Sequence, residues 1–478
     1  AILKASLSMR NNQDYRGLSL SALARSVCDQ RYGFNLTRAY TLLARQQGYI
    51  GMLSVGRVQT PILGLIVARD KLHHSHKAIS YYEVMAEVEI RGQKIQCKYI
   101  PQSNLSNHAE GEDQQIDFVT ESLTPDISTA ISDLALANKI CSNIASEPAS
   151  VESVSTEVIE VPPPLPHSLL SLQAEAAGLY GFKPSYVHEI AQRLRDEFMA
   201  ITYHRSDSRY LGNERFRESH ALLDVLSKND PDLVAACDRS QRSEAFDSSK
   251  VTAHHAIIPT INTPAEDRLS EDESRIYQLI ARAYIAQFHG NEVRRQTTLT
   301  FDISGCRFEA VGVVSQSKGW RQFIDNNTGP AETFNLETIT RFDHGKVINE
   351  KLLTQATSAP ALYTMRSLLL DLTRVAQYVT DPVVKKLLIE KDSAKQDEAG
   401  GIGTPATRDK HIETLFTRGF IVEEGDNVVS TSVGRDFHDA LPDFAVKPDM
   451  TALWHEKQKQ IESGVMDYKA FISDVDDI

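Results

Sequence analysis

Apolar residues first recur at helical spacing. Leu20, Leu23, Ala24 and Val27 share one face, while Arg25 and Asp29, one turn apart, share another and are placed to pair. A second helical pattern runs through Leu36, Tyr40 and Leu43, with Asn35 and Arg38 near its start. Thr60 as N-cap and Pro61 at the first helical position predict a further helix with Ile62, Leu65 and Ile66 on its apolar face. Arg57 and Gln59 then sit beside a helix N-terminus, a natural phosphate seat; the alternative is a glycine turn before a core helix. Near residue 80 the period falls to two. Tyr82, Val84, Ala86, Val88 and Ile90 alternate with polar residues, and Arg91-Gly92 turns the chain into Ile95, Cys97 and Tyr99. The same alternation returns at Thr297, Leu299, Phe301 and Ile303, with Ser304-Gly305 turning back into Phe308 and Ala310. Two β segments of like character thus flank a helical insert, which reads as one sheet domain interrupted by another. Residues 101–135 are polar and turn-rich and read as loop.

The insert opens after the stiff run Pro162-Pro163-Pro164-Leu165-Pro166. Pro184 begins a helix with Val187, Ile190, Leu194 and Phe198 on one face, leading straight into Ile201-Thr202-Tyr203-His204-Arg205-Ser206-Asp207-Ser208-Arg209-Tyr210-Leu211. From about residue 350 the pattern is helical again, through Leu368, Leu369 and Leu372 and then Val383, Leu387 and Leu388. Next comes Gly400-Gly401-Ile402-Gly403-Thr404-Pro405-Ala406-Thr407-Arg408, a glycine loop feeding a helix. Free backbone N–H groups there would suit a phosphate, but the Gly-Lys-Ser/Thr ending of a nucleotide P-loop is absent, which disfavours ATP hydrolysis.

Composition narrows the class. The 478 residues exceed one ordinary core, and 41% hydrophobic with 24% charged residues describes a globular chain without a run of apolar residues long enough for a membrane span. A cytoplasmic protein is the expectation. Five scattered cysteines form no Cys-x-x-Cys, which argues against zinc ribbons and disulfide frameworks. A net charge of −13 excludes a broadly basic surface but not local basic clusters for nucleic acid.

The chemistry concentrates at residues 201–211, where a phenol stands among Arg205, Arg209, two hydroxyls and Asp207. A phenol titrates near pH 10, so as a nucleophile at neutral pH it needs cations close by. The plain alternative is an exposed aromatic beside solvated charge. His254 and His255, adjacent in sequence, point in different directions on either a helix or a strand, so they suit phosphate contact better than one shared metal.

Four stretches carry a family resemblance: Leu53-Ser54-Val55-Gly56-Arg57-Val58-Gln59-Thr60-Pro61, Ile201-Thr202-Tyr203-His204-Arg205-Ser206-Asp207, Ala253-His254-His255-Ala256-Ile257-Ile258-Pro259-Thr260 and Gly401-Ile402-Gly403-Thr404-Pro405-Ala406-Thr407-Arg408. In this order they resemble the signature blocks of type IA DNA topoisomerases, closest to the topoisomerase III branch. The resemblance implies a mixed α and β, multidomain, toroidal core: a helical base from residues 1–78 and 350–478, a β-rich arch from 79–165 and 265–349, and an inserted helical tyrosine domain at 166–264. It makes Tyr203 the nucleophile, linked to the 5′ phosphate of a transient break, and Arg205 the residue that steadies the scissile phosphate. His254 or His255 would contact the phosphate backbone or position Asp207. Arg25, Asp29, Arg38, Arg57 and Gln59 match the strand-holding groove, Asp207 and Arg209 flank the nucleophile and are expected to contact DNA, and Thr404, Thr407 and Arg408 match the phosphate-contacting loop. The implied partner is DNA, especially single-stranded, bound by a monomer without ATP and, in a bacterium, associated with the nucleoid.

The sequence departs from the family at two points. His204 stands where the family carries proline or a hydrophobic residue, and reads as a neutral surface substitution or as a group that tunes the nucleophile. The family also holds Mg²⁺ with a glutamate and an Asp-x-Asp of an N-terminal TOPRIM domain, whereas the first residues here already match the domain after it. The expectation is therefore a chain that holds no metal itself and binds DNA without efficient cleavage unless that domain is supplied from elsewhere. Asp474-Val475-Asp476 reads as a solvated tail rather than a metal motif. Two competing readings are a relaxase-type tyrosine strand transferase, which needs a His-hydrophobic-His spacing that His254-His255 lacks, and a non-catalytic single-strand-binding scaffold.

Overall fold

The computed structural model describes residue 9, residues 11–101, 131–251, 253–264, 268–324, 335–393, 395 and 398–477. The loop expected at 101–135 therefore lies mostly outside the described residues.

The chain begins with α1 (Arg16–Gln46), one continuous helix where the sequence suggested two. The buried Ala24, Cys28 and Tyr32 bridge the two apolar patches on one face. Helix α2 (Gln59–Ser75) starts before the expected cap, and Thr60 instead ties the preceding turn, accepting from the Gly56 N–H at 2.9 Å and donating to the Gly56 carbonyl at 2.7 Å.

The chain then enters a closed antiparallel barrel, ordered β1-β2-β5-β4-β3-β6. Strands β1 (Ser80–Ile90) and β2 (Gln93–Tyr99) form the expected hairpin. After α3 (Leu134–Ile144), β3 (Pro148–Val161) runs to the start of the insert. Strands β4 (Glu292–Ile303) and β5 (Cys306–Ser317) make the second hairpin, and β6 (His344–Ala356) closes the barrel against β1 and β3. Both hairpins turn through two residues of positive φ, Arg91-Gly92 at 51° and 78° and Ser304-Gly305 at 52° and 77°. That is the turn whose twist matches the strands, and its second position favours glycine. Residues 350–356, expected to open the helical base, instead continue strand β6. In β3 a register shift between Val151 and Ser153 breaks the alternation that would have revealed it. Val84, Val88, Ile95, Leu299, Phe301 and Phe308 fill the barrel, with Ala137, Ile140 and Ile144 of α3 against them.

Residues between β3 and β4 form a helical module with its own core. It contains α4 (Leu169–Tyr180), α5 (Pro184–Asp196), α6 (Asn213–Leu226) and α7 (Glu271–Ile285). Helix α7 and Phe288 share the core of Val187, Leu194 and Ile201, so the module runs past the expected boundary at 264 and takes in a helix that had been assigned to the arch. The base resumes with α8 (Met365–Asp371), α9 (Pro382–Lys391) and α10 (Pro405–Thr417), then a β7 (Ile421–Glu424)–β8 (Asn427–Ser430) hairpin. It ends with α11 (Ser432–Ala440), α12 (Asp449–Glu462) and α13 (Tyr468–Asp476). Its core joins Ala24, Cys28 and Ile62 from the start of the chain to Leu415, Trp454 and Phe471 from the end. The expected solvated tail is thus helical: Asp474 pairs with Lys457 at 2.6 Å, Asp476 pairs with Arg31, and Phe471 and Val475 are buried.

The connections are nested. Ser80 pairs with Ala356 where the chain leaves and re-enters the base, and Val161 pairs with Glu292 where it leaves and re-enters the barrel. The module closes the ring by folding back on the base, placing Leu170 and Ala174 of α4 in the base core beside Met365 and Leu368. This ring of three bodies is the toroidal, mixed α and β architecture expected from the sequence.

Candidate active site and nucleic-acid groove

Tyr203 sits on an irregular segment pinned to a second one. The Thr202 N–H donates to the Ile258 carbonyl at 2.9 Å, the Ile258 N–H donates to Thr202 Oγ1 at 3.0 Å, and Ile201 bridges Pro259. Further along, the Ala256 N–H donates to the Tyr210 carbonyl at 2.8 Å. These ties carry the exposed His254 to Tyr203, with ring centroids 4.4 Å apart. His255 turns inward and donates from Nδ1 to the Ala256 carbonyl at 2.8 Å, and burial lowers its pKa. The Tyr203 ring is half-buried rather than freely exposed, and the Arg195 guanidinium lies 5.3 Å from its centroid. Arg195 ends α5 and escaped the sequence reading. The signal was available, since it precedes Tyr203 by eight residues on the helix that delivers it. Arg205 is exposed and has no hydrogen bond or ion pair among the described residues.

His204 is not a surface substitution. It is 3% exposed, neither ring nitrogen has a hydrogen-bond partner among the described residues, and burial, followed by the His188 charge, lowers its pKa to about 4. An unpaired buried polar group costs about 1–3 kcal/mol. Its ring lies 5.3 Å from that of His188, whose Nδ1 bonds Asp409 Oδ2 at 2.6 Å.

A second assembly lies in the base, around a cavity of about 630 Å³ lined by Arg25, Asp29, Arg57, Gln59, Thr404 and Thr407, together with Lys391, Lys395, His411 and His455, which the sequence reading did not single out. Arg25 pairs with Asp29 at 3.7 Å, as the helical spacing predicted. Asp29 also binds Arg57 at 3.0 Å, and the Arg57 guanidinium lies 5.0 Å from the Trp454 ring centroid with only 8% of its side chain exposed. Gln59 donates to Ser54 Oγ at 2.8 Å. Arg38 is exposed on α1 but does not line this cavity.

Two expected DNA-binding arginines are engaged by the protein itself. Arg408 is 0% exposed: it pairs with Glu398 at 3.0 Å and donates to the carbonyls of Ile402 at 2.9 Å and Leu372 at 3.3 Å. The glycine loop is shaped around this side chain. Gly400 and Gly403 have φ of 76° and 72°, and a Cβ on Gly401 would meet Arg408 Nη2 at 2.9 Å. The Gly401 N–H is committed to Asp392 Oδ2 at 2.8 Å and the Thr404 N–H to Thr407 Oγ1 at 3.2 Å, so these two groups of the expected phosphate cradle already have protein partners, while Gly403, Thr404 and Thr407 line the cavity. Arg209 donates to the carbonyls of Pro166 at 3.0 Å and Leu165 at 2.8 Å, anchoring the entry to the module. Asp207 is exposed.

The profile of the DNA topoisomerase family matches residues 13–473. The chain belongs to that family. It is 36% identical to DNA topoisomerase 3 of Pasteurella multocida over 99% of this chain and 72% of that protein. Identity to DNA topoisomerase 3 of Haemophilus influenzae is 35%, over 100% of this chain and 72% of that protein. Full-length topoisomerase I of Thermotoga maritima shares the fold, with a TM-score of 0.65 and 20% identity, covering 96% of this chain and 67% of that one. This topoisomerase core therefore stands in the type IA group, on the topoisomerase III branch. No helix among the described residues is long and apolar enough to cross a membrane.

Proposed function

We propose that the chain binds single-stranded DNA along the base cavity and breaks it transiently at Tyr203. The observation that carries this reading is the Tyr203 ring held between His254 at 4.4 Å and the Arg195 guanidinium at 5.3 Å, with Arg205 exposed two residues on. Tyr203 Oη would attack a backbone phosphorus. The Oη–P bond forms as the P–O3′ bond breaks; the phenol gives up its proton, and the 3′ oxygen leaves as a hydroxyl on taking one up. Arg205 and Arg195 offset the charge that develops on the phosphoryl oxygens, and His254, rather than His255, contacts the phosphate. The phosphotyrosine diester keeps the energy of the broken linkage, so resealing runs the same step backwards without ATP. Cations with stacking or imidazole surfaces suit a single strand, and the groove supplies Arg25 and the imidazoles of His411 and His455, with Lys391 and Lys395 at its wall paired to Asp392 at 2.7 and 3.0 Å.

The family resemblance implies Mg²⁺, which would supply further charge neutralisation at the phosphate. Among the described residues no group of three or more His, Cys, Asp or Glu side chains is placed to hold a metal ion. Cleavage by these 478 residues with added Mg²⁺ is expected to be weak beside their DNA binding.

The test is Tyr203→Phe, measured by covalent capture of a single-stranded oligonucleotide and by equilibrium binding to it, with the residues that complete the metal site supplied. Capture is expected to vanish while the binding constant stays within about twofold, since the substitution removes one hydroxyl and leaves the cationic groove. Capture by the Phe variant equal to that of the parent would sink the nucleophile assignment and favour the scaffold reading.

A further inference from the structure

The module that carries Tyr203 is joined covalently only to the barrel, through the paired ends Val161 and Glu292. Its junction with the base is the one contact in the ring that the chain does not run through. Most of that junction is apolar packing of α4 on α8, but beside it lies a buried polar path. Asp409 of α10, 3% exposed, accepts from the Lys410 N–H at 2.8 Å through one oxygen and meets His188 Nδ1 of α5 at 2.6 Å through the other. The His188 ring stands 5.3 Å from the His204 ring, and His204 directly follows Tyr203, with 5.7 Å between their rings.

We infer that Asp409, His188 and His204 form a clasp that closes the Tyr203 module onto the base and sets the position of Tyr203, making the three of them positioning residues. Three observations carry this. A carboxylate and an imidazole meet across a junction the chain does not cross, at a distance that requires a proton between them. Helix α5 presents His188 to the base and, two turns later on the same face, Arg195 to Tyr203, so one rigid element links the clasp to the nucleophile. Helix α10 carries Asp409 toward the module while its Thr404, Thr407 and His411 line the base cavity, so a strand lying in that cavity touches the helix that holds the clasp. His204, buried and without a partner, is the loose end of this path: the closed state gives it packing but no hydrogen bond, and opening the junction offers it water.

The clasp's consequence for cleavage rests on the proposed role of Tyr203, but the clasp can be read without any reaction. The experiment is hydrogen exchange by mass spectrometry on the full chain, comparing His188→Ala, His188→Asn and Asp409→Ala. Nitration of Tyr203 by tetranitromethane is measured in parallel. His188→Ala and Asp409→Ala are expected to speed exchange in α4 and α8, and nitration of Tyr203, at least threefold, with strands β4 and β5 unchanged. His188→Asn, whose amide nitrogen falls near the lost Nδ1, is expected to return both rates to within twofold of the parent. The inference is overturned if His188→Ala behaves as the parent, if His188→Asn is as fast as His188→Ala, or if exchange rises while nitration of Tyr203 does not. Should Asp409→Ala lose the protection of the barrel as well, the His188 pair alone decides. Loss of covalent capture in Tyr203→Phe plays no part in these readouts, so failure of the clasp and failure of the nucleophile assignment are told apart.

Discussion

At the scale of single residues, a charged group's sequence neighbours proved a poor guide to its work. Arg408 lies in a stretch that looks made for phosphate, yet it is sealed in the base against Glu398 at 3.0 Å. Arg408→Ala is therefore expected to destabilise the base by about 1–3 kcal/mol, because it leaves Glu398 with Lys395 at 3.3 Å as its cation and takes a donor from the buried Ile402 and Leu372 carbonyls. Thermal unfolding followed by calorimetry checks this, and an unfolding temperature equal to the parent's would show that Glu398 is solvated. His204 makes a second case. Its folded pKa of about 4 lies below the ordinary value of 6.5. The unfolded chain therefore binds the extra proton between those values, and the stability tied to neutral His204 is fully present above about pH 6.5 and lost as pH falls toward 4. The shift corresponds to about 3 kcal/mol at most. A His204→Phe variant should lose less stability than the parent on going from pH 7 to pH 4; parallel stability curves for the two would refute the burial argument. Arg57 falls between these cases. It lines the cavity, but its contacts with Asp29 and Trp454 mean that replacing it loosens the base as well as the groove.

At the scale of elements, period and turn chemistry were legible wherever one rule governed a segment. The alternation in β1 and β4 and the Arg91-Gly92 and Ser304-Gly305 turns could be read directly, because a two-residue hairpin with positive φ leaves few choices of residue. Strand β3 was hidden by its register shift, and β6 by having only Val347 fully buried toward the barrel, with an otherwise mixed outer face. Where two elements touch backbone to side chain, the partner was invisible beforehand. Gly64 of α2 is an example: a Cβ there would meet the Val446 carbonyl at 2.2 Å. Gly64→Ala should raise the helix propensity of α2 and nevertheless destabilise the base by about 1–3 kcal/mol through overpacking, as urea unfolding would measure. A gain in stability would mean that the Asp443–Val446 segment yields freely.

At the scale of the whole molecule, the nested insertions decide what can move. Paired strand ends fix the base to the barrel and the barrel to the module, while the module meets the base through packing, the His188–Asp409 bond and the exposed Lys183–Glu423 pair at 3.7 Å. That arrangement suits hinge opening of the ring at one junction. Overall charge is −13, so binding to DNA must come from the local cations of the cavity rather than from the net field. Single-strand affinity should fall with salt with a log–log slope of about −0.7 per phosphate contact. Arg25 is the cleanest probe, being half-exposed and sharing Asp29 with Arg57. Arg25→Ala should make the slope shallower by about 0.7 without loosening the fold. A slope identical to that of the parent would remove Arg25 from the strand's path.

The sequence by itself determined the family, the cluster of polar groups around Tyr203 and the discontinuous layout, because motif spacing and a change of hydrophobic period are local properties that survive in one dimension. Only the tertiary structure decided which cations line the cavity, which histidine faces Tyr203, and that His204 is buried against His188, whose Nδ1 bonds Asp409. Those outcomes depend on burial and on contacts between residues more than two hundred positions apart, as between His188 and Asp409, and no local pattern encodes them.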